Sequence, residues 1–190
     1  MSRTKVKQNL IEATFGNILE QIVYRADGRT ITTSQGNITV PTAAKQTTPD
    51  TVHALASGSN IEYLPPTGAT GVHYEFITQV DAVDTNGLYH FKVQLDNSSG
   101  TLTDITSSRT SYYAPEIRDF SFYIQEYIRI NGTENVANGQ VGTWNTARTI
   151  QVSTRAFSSS YNGSINTLGH WDGARPSTLA YPLIKITAYA

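Results

Sequence analysis

Four histidines and a handful of carboxylates are the side chains in this sequence best equipped for chemistry. His73 and Glu75 lie two apart in GVHYEFITQV, on one side of a strand, a spacing that two metal ligands can share. Two ligands do not make a site. His53, His90 and His170 stand apart from one another, and the spacings HxH, HExxH and HxxEH are absent. Asp81-Ala-Val-Asp84 follows a strand and reads either as a Ca²⁺ loop or as a solvated turn. Glycoside hydrolysis needs two carboxylates facing one cleft. Glu75 and Glu126 are the one pair on strands worth testing, and strand phase puts Glu75 on a polar face and Glu126 on an apolar one. Nucleophile-elbow, phosphate-loop and dinucleotide fingerprints are missing. No catalytic residue, cofactor or metal ligand is therefore assigned, and the chain reads as a non-enzyme.

Two tryptophans sit in turn-rich stretches, Trp144 in VGTWNTAR and Trp171 in HWDGARPS. Each reads in two ways. Either the indole anchors a turn by packing, or it is offered at a loop tip to a sugar or a partner protein. The eleven tyrosines, Tyr112, Tyr113, Tyr123, Tyr127 and Tyr161 among them, divide the same way between sheet composition and interface.

The totals narrow the class. The 190 residues carry 14 Lys+Arg against 15 Asp+Glu, so net charge draws the chain neither to nucleic acid nor to a membrane. Cysteine is absent, which excludes disulfides and thiolate chemistry. No apolar stretch approaches a membrane span, and MSRTKVKQNLIEA lacks the apolar run of a secretory signal. Asn-X-Ser/Thr sequons at Asn37, Asn97, Asn131 and Asn162 are what chance gives in a chain so rich in Asn, Ser and Thr.

The elements follow from periodicity. Apolar residues recur at steps of three and four from Val6 to Ile22, and Gly16-Asn17 interrupts them, so one short helix is expected before Gly16. Asp27-Gly28 and Gln35-Gly36-Asn37 mark turns in a small meander, Gln21–Arg25, Thr30–Ser34 and Asn37–Val40. Thr42 to Thr51 is polar and aperiodic, which puts a boundary between an N-terminal segment, 1–48, and a main domain, 49–190. From Val52 onward the pattern is all-β. Strands are expected at Val52–Ala56, Ile61–Leu64, Val72–Val80, Leu88–Leu95, Ser111–Tyr113, Ile117–Ile130, Thr149–Phe157, Ser164–Leu168 and Pro182–Tyr189, which argues for an antiparallel sandwich. In IRDFSFYIQEYIRI, Phe120, Phe122, Ile124, Ile128 and Ile130 make one apolar face, and Glu126 interrupts it and needs a structural partner. YPLIKITAYA carries the same period of two up to Ala190.

The succession TKVKQNLIEATFGNILEQIVYRADGRT, YLPPTGATGVHYEF, HFKVQLD and HWDGA before a last strand resembles virion structural proteins of tailed phages, marine cyanophage types in particular, of the tail-fibre, head-fibre and decoration kinds. The β portion is similar in outline to trimeric jelly rolls of the tumour-necrosis-factor and C1q type. That resemblance implies a homotrimer whose last strand lies near the three-fold axis, with Tyr181, Leu183 and Tyr189 facing the axis or a neighbouring protomer. The first forty residues have no counterpart in a minimal jelly roll and imply a docking arm, acting through Leu10, Ile11, Phe15, Ile18 and Ile22 on a major capsid protein or a tail or fibre protein. The implied location is the virion, after synthesis in the host cytoplasm. Its function is then capsid decoration or a head fibre. The alternatives are a tail fibre that touches host surface glycans through NGTENVANGQ and HWDGARPS and, more remotely, a glycan-active enzyme on the same scaffold.

Overall fold

A computed structural model describes residues 17–48, 52–82, 86–115, 119–161, 163–169 and 178–190. The helix expected before Gly16, with Leu10, Ile11 and Phe15, lies outside the described residues, as do Asp84 and Trp171.

Strand is the dominant structure of the described chain, with three short 3-10 turns besides. In order it forms β1 (Ile18–Arg25), β2 (Thr30–Thr33), β3 (Gly36–Thr39), β4 (Gln46–Thr47), β5 (Ala54–Leu55), β6 (Ile61–Tyr63), β7 (Gly71–Ala82) and β8 (Asn86–Asp96). Then come β9 (Leu102–Asp104), β10 (Thr110–Pro115), β11 (Asp119–Ile130), β12 (Gln140–Val141), β13 (Arg148–Ala156), β14 (Gly163–Ile165), β15 (Thr167–Leu168), β16 (Thr178–Leu179) and β17 (Leu183–Tyr189). The long strands fall where alternation is strongest. Hydrophobic side chains at every second position of β7, β8, β11 and β13 give each strand one face to bury. The expected strand Ser164–Leu168 is cut in two at Asn166, which takes a left-handed φ of 60°. Its buried amide repays that conformation: Nδ2 donates to the carbonyls of Ala44 and Ser57, and Oδ1 accepts from Thr78 Oγ1 at 2.6 Å.

Two sheets result. One runs β1-β17-β7-β11-β12, with β14 on the far end of β7 and β4 on β14; the other runs β10-β8-β13-β5, with β6 also on β13 and β9 on β8. Taking β5 and β6 as two parts of one strand leaves eight principal strands. Counted along the chain, the sheets then read first–eighth–third–sixth and second–seventh–fourth–fifth. That order is the doubly wound Greek key of a jelly roll, so the protein is an all-β antiparallel jelly-roll sandwich. Between the sheets Tyr74, Phe76, Ile124, Ile128, Ile184 and Ile186 meet Tyr89, Phe91, Val93, Leu95, Ile150 and Val152. Phe91 and Phe122 stack across the gap at 3.8 Å between ring centres.

The boundary expected at 48/49 is not where the chain divides. β1 does not join a meander with β2 and β3; it pairs antiparallel with β17 from Ile18↔Tyr189 to Arg25↔Leu183. Tyr24 and Val40 enter the common core, and Thr48, in the expected linker, exchanges hydrogen bonds with Gly163. The reason is physical: β17 without β1 exposes a row of unpaired backbone groups beside an apolar face. Residues 18–48 are thus part of the sandwich, and of the meander the β2–β3 hairpin alone forms as expected.

A chain beginning at Pro49 lacks β1 and the Tyr24 and Val40 side chains. Losing such buried groups costs at least ~4 kcal/mol, so the midpoint of thermal unfolding falls by about 10 °C or more, or the cooperative transition disappears. Far-ultraviolet dichroism on heating checks this. A transition within a few degrees of the full chain would restore the boundary at 48/49.

Candidate interaction surfaces

The pleat of the first sheet sends its polar positions to one outer face. There the register sets Lys185 opposite Glu75 and Glu75 opposite Gln125, with Thr187, His73 and Tyr127 forming the next row. Glu75 is the hub. Lys185 Nζ lies 2.7 Å from its Oε1, His73 Nδ1 lies 3.4 Å from the same oxygen, and the Tyr123 hydroxyl donates to Oε2 at 3.3 Å. Gln125 Oε1 accepts from Tyr123 at 2.5 Å and is 2.9 Å from His73 Nε2. Burial, then the charge of Glu75, pushes the Tyr123 phenol above its ordinary range. The hydrogen bond to Glu75 holds the Lys185 ammonium above its own.

Around this saturated polar centre stand uncovered apolar side chains, with the exposed Arg25, opposite Leu183, and Arg129, opposite Gly71, farther out on the same face. Val23 is 54% exposed, Tyr123 45% and Tyr127 47%. Tyr127 lies across Gly71, where a Cβ would meet its hydroxyl, and its ring is 6.2 Å from that of Tyr189. Tyr189 and Leu183 are half-buried on this face, and Ile18, opposite Tyr189, is exposed. Tyr181 is exposed just before β17. Ile22 instead points inward and packs against the core, so it is not available for docking. Trp144 is likewise not a loop-tip contact. Its indole is buried, donates from Nε1 to the Tyr63 carbonyl at 3.0 Å and lies 6.0 Å from the Arg148 guanidinium.

The second sheet carries a different outer face. Register sets Arg155 opposite His90, His90 opposite Ser111, and Ser153 opposite Lys92. Of these, Arg155, His90, Ser111 and Lys92 line, with His53, an open groove of about 380 Å³. Lys92 reaches Asp104 at 2.7 Å, and Arg109 reaches the same carboxylate at 3.2 Å. Burial would raise the Asp104 carboxyl, but bonds from Lys92, Gln94 and Arg109 outweigh it and hold it below the usual range. Burial, then the charges of Lys92 and Arg155, drives the His53 imidazole down to about 4. His90 is lowered by the same two causes, burial and Arg155. With both imidazoles neutral, three cations face one carboxylate, a local surplus of two positive charges.

Glu75 and Glu126 point to opposite faces of one sheet, so they cannot flank one glycosidic bond. Glu126 lies at the margin of the core, where the Ser107 hydroxyl donates to it at 3.4 Å and burial raises its carboxyl. Beside His73 and Glu75 the cation position is taken by Lys185. Among the described residues no three His, Asp or Glu gather as a metal site, and no helix is long and apolar enough to cross a membrane. The NGTENVANGQ loop folds over Val136, which is buried. Sequence reasoning singled out His53 and His90 separately but missed Arg155, Arg109 and Asp104. The signal was His90-x-Lys92-x-Gln94 on the outer side of β8, which gains meaning only from the register with β13.

No family model and no curated protein matches the chain. Among solved structures it is similar to the Eiger TNF of S. frugiperda, at 10% identity over 92% of this chain and 88% of that one, TM-score 0.35. It is also similar to infectious bursal disease virus, Gx strain, at 8% identity and TM-score 0.42, over 90% of this chain but 42% of that one. A third is the family 11 carbohydrate-binding module of Clostridium thermocellum, at 12% identity, 93% and 92% coverage, and TM-score 0.25. These likenesses are remote, and the jelly-roll assignment rests on the strand order itself.

The lowered histidines make stability depend on pH. Unfolded, each imidazole binds its proton near the ordinary 6.5; folded, His53 binds it only near 4. The unfolded state therefore takes up more protons between those values, and stability is lost as pH falls from about 6.5 to about 4. An NMR titration should place the His53 imidazole near 4, and His53→Gln should flatten the urea-midpoint curve in that window. Titration near 6.5 would contradict the half-buried placement of His53 beside Lys92 and Arg155.

Proposed function

We propose that this protein is a non-catalytic structural component of a virion. In this reading it is a jelly-roll module that assembles as a homotrimer through the outer face of β1, β17, β7 and β11 and decorates a capsid as a head fibre or cement protein. The observation that carries the reading is the band of uncovered aromatic and aliphatic side chains, Tyr123, Tyr127, Tyr189, Leu183, Val23 and Ile18, around a Glu75–Lys185 pair whose bonds are already made. Tyrosine-rich faces with few free charges are suited to association. A polar centre that enters an interface with its partners in place loses little on desolvation, while the apolar rim gains from leaving water. The same face holds Leu183 and Tyr189, the residues that the resemblance to trimeric jelly rolls assigns to the axis.

Attachment belongs to the sequence before β1. Leu10, Ile11 and Phe15 supply apolar side chains for a groove or sheet edge on a capsid or fibre protein. Three arms per trimer multiply modest contacts by avidity. The protein then works on the virion after synthesis in the host cytoplasm.

Sedimentation equilibrium on the full chain should give three times the mass of one chain. Tyr127→Arg combined with Tyr123→Arg should give monomers that unfold within a few degrees of the native protein, since both rings are half-exposed in the single chain. A monomeric native protein would overturn the trimer reading, and a native trimer unaffected by the double substitution would move the interface elsewhere.

A further inference from the structure

The groove on the second sheet is not used by this assembly, and its chemistry points to a ligand. Its surplus of positive charge is unusual in a chain whose net charge is −1. Arg155 has no carboxylate partner among the described residues; its Nη1 donates to the Ala156 carbonyl, and its charge is felt at both histidines. Lys92 shares a single carboxylate with Arg109. His90 is oriented by Ser111, 2.7 Å from Nδ1, and its enclosed Nε2 has no hydrogen-bond partner. His53 sits 3.3 Å from Ser153. The groove thus combines fixed cations with neutral groups that can both donate and accept hydrogen bonds.

Beside it stands an uncovered aromatic platform. Phe157 is 53% exposed, 6.1 Å from His90 and 5.9 Å from Tyr161 between ring centres. It lies two residues beyond Arg155 along the chain, so their Cα atoms are about 7 Å apart, the two-residue spacing of an extended chain. A sugar ring fits that interval, with its apolar C–H face on the phenyl ring and its substituents toward the cations.

We propose that this groove binds an acidic saccharide, with its carboxylate or sulfate between Arg155 and Lys92 and its ring on Phe157. Specificity comes from three features acting together. Cations select the anion, neutral His53 and the Ser111 hydroxyl held by His90 pair with sugar hydroxyls, and the exposed phenyl ring distinguishes a saccharide from a free ion. The site lies on the sheet opposite the proposed trimer face, so it does not depend on the trimer reading and stays open in that assembly.

The test uses the full-length protein and follows the histidine imidazoles by NMR during titration with hyaluronan tetrasaccharide, chitotetraose and inorganic phosphate. The carboxylated tetrasaccharide should perturb His53 and His90 and raise the His53 titration, because a bound anion favours the imidazolium. Chitotetraose should have little effect, and phosphate should bind more weakly than the tetrasaccharide. Arg155→Gln should weaken tetrasaccharide binding by about tenfold. Phe157→Ala should weaken it by about fivefold while leaving phosphate binding unchanged. Both side chains reach solvent, and a thermal scan confirms that the variants fold. Silence of both histidines at millimolar tetrasaccharide, equal binding of chitotetraose, or phosphate binding as tight as the tetrasaccharide would overturn the proposal.

Discussion

The structure depends on β17 being held on both sides. Ile184 sits between Tyr24 of β1 and Phe76 of β7, and Ile186 between Ile22 and Tyr74. Each backbone group of β17 therefore has a partner, and its apolar residues face the second sheet. Because side chains alternate with a period of two, this register also fixes the opposite face: Leu183, Lys185, Thr187 and Tyr189 point outward. A slip of one residue would drive Lys185 into the core and take the Glu75 hub apart. The core and the candidate interface are thus two consequences of one register.

The outer faces divide the chemistry. At the centre of the first sheet's outer face charge is neutralised locally: Glu75, Lys185, His73, Tyr123 and Gln125 satisfy one another, and around them the face is mostly aromatic and aliphatic, with Arg25 and Arg129 exposed toward its ends. On the second sheet charge is left over. A surface matched to another protein and a surface matched to an anion differ in that way, since burying an unpaired guanidinium against protein is costly, whereas pairing it with a ligand's anion is favourable. Elsewhere Arg148 shows the structural use of the same group. It is buried, chelates Glu134 and donates to the carbonyls of Asp96 and Thr143, closing one end of the sandwich. The Arg148 bond holds Glu134 below the ordinary carboxylate range.

The sandwich was legible in the sequence because alternation in β7, β8, β11 and β13 is set by burial, which is local to each strand. The opposite faces of Glu75 and Glu126 followed from that phase alone. Strand partners were not legible. Nothing within QIVYRADGRT says that β1 pairs with a strand about 160 residues away instead of with its neighbour, because hairpin signals report short-range turns and not long-range edges. Hence the mistaken boundary at 48/49. Trp144 was ambiguous for the same reason: whether an indole in a turn packs or projects is decided by what the fold brings over it, here Tyr63 and Arg148. The cationic groove needed β8, β10 and β13 in register before its residues became neighbours.

Hydrogen exchange along β17 reads its pairing amide by amide. A strand paired on both sides protects consecutive amides, because successive N–H groups point alternately to its two neighbours. Ile184 through Ala188 should exchange slowly without interruption, as slowly as the centre of β7. Fast exchange at every second residue would mean that β1 does not pair with β17, and the core register and the interface built on it would both be contradicted.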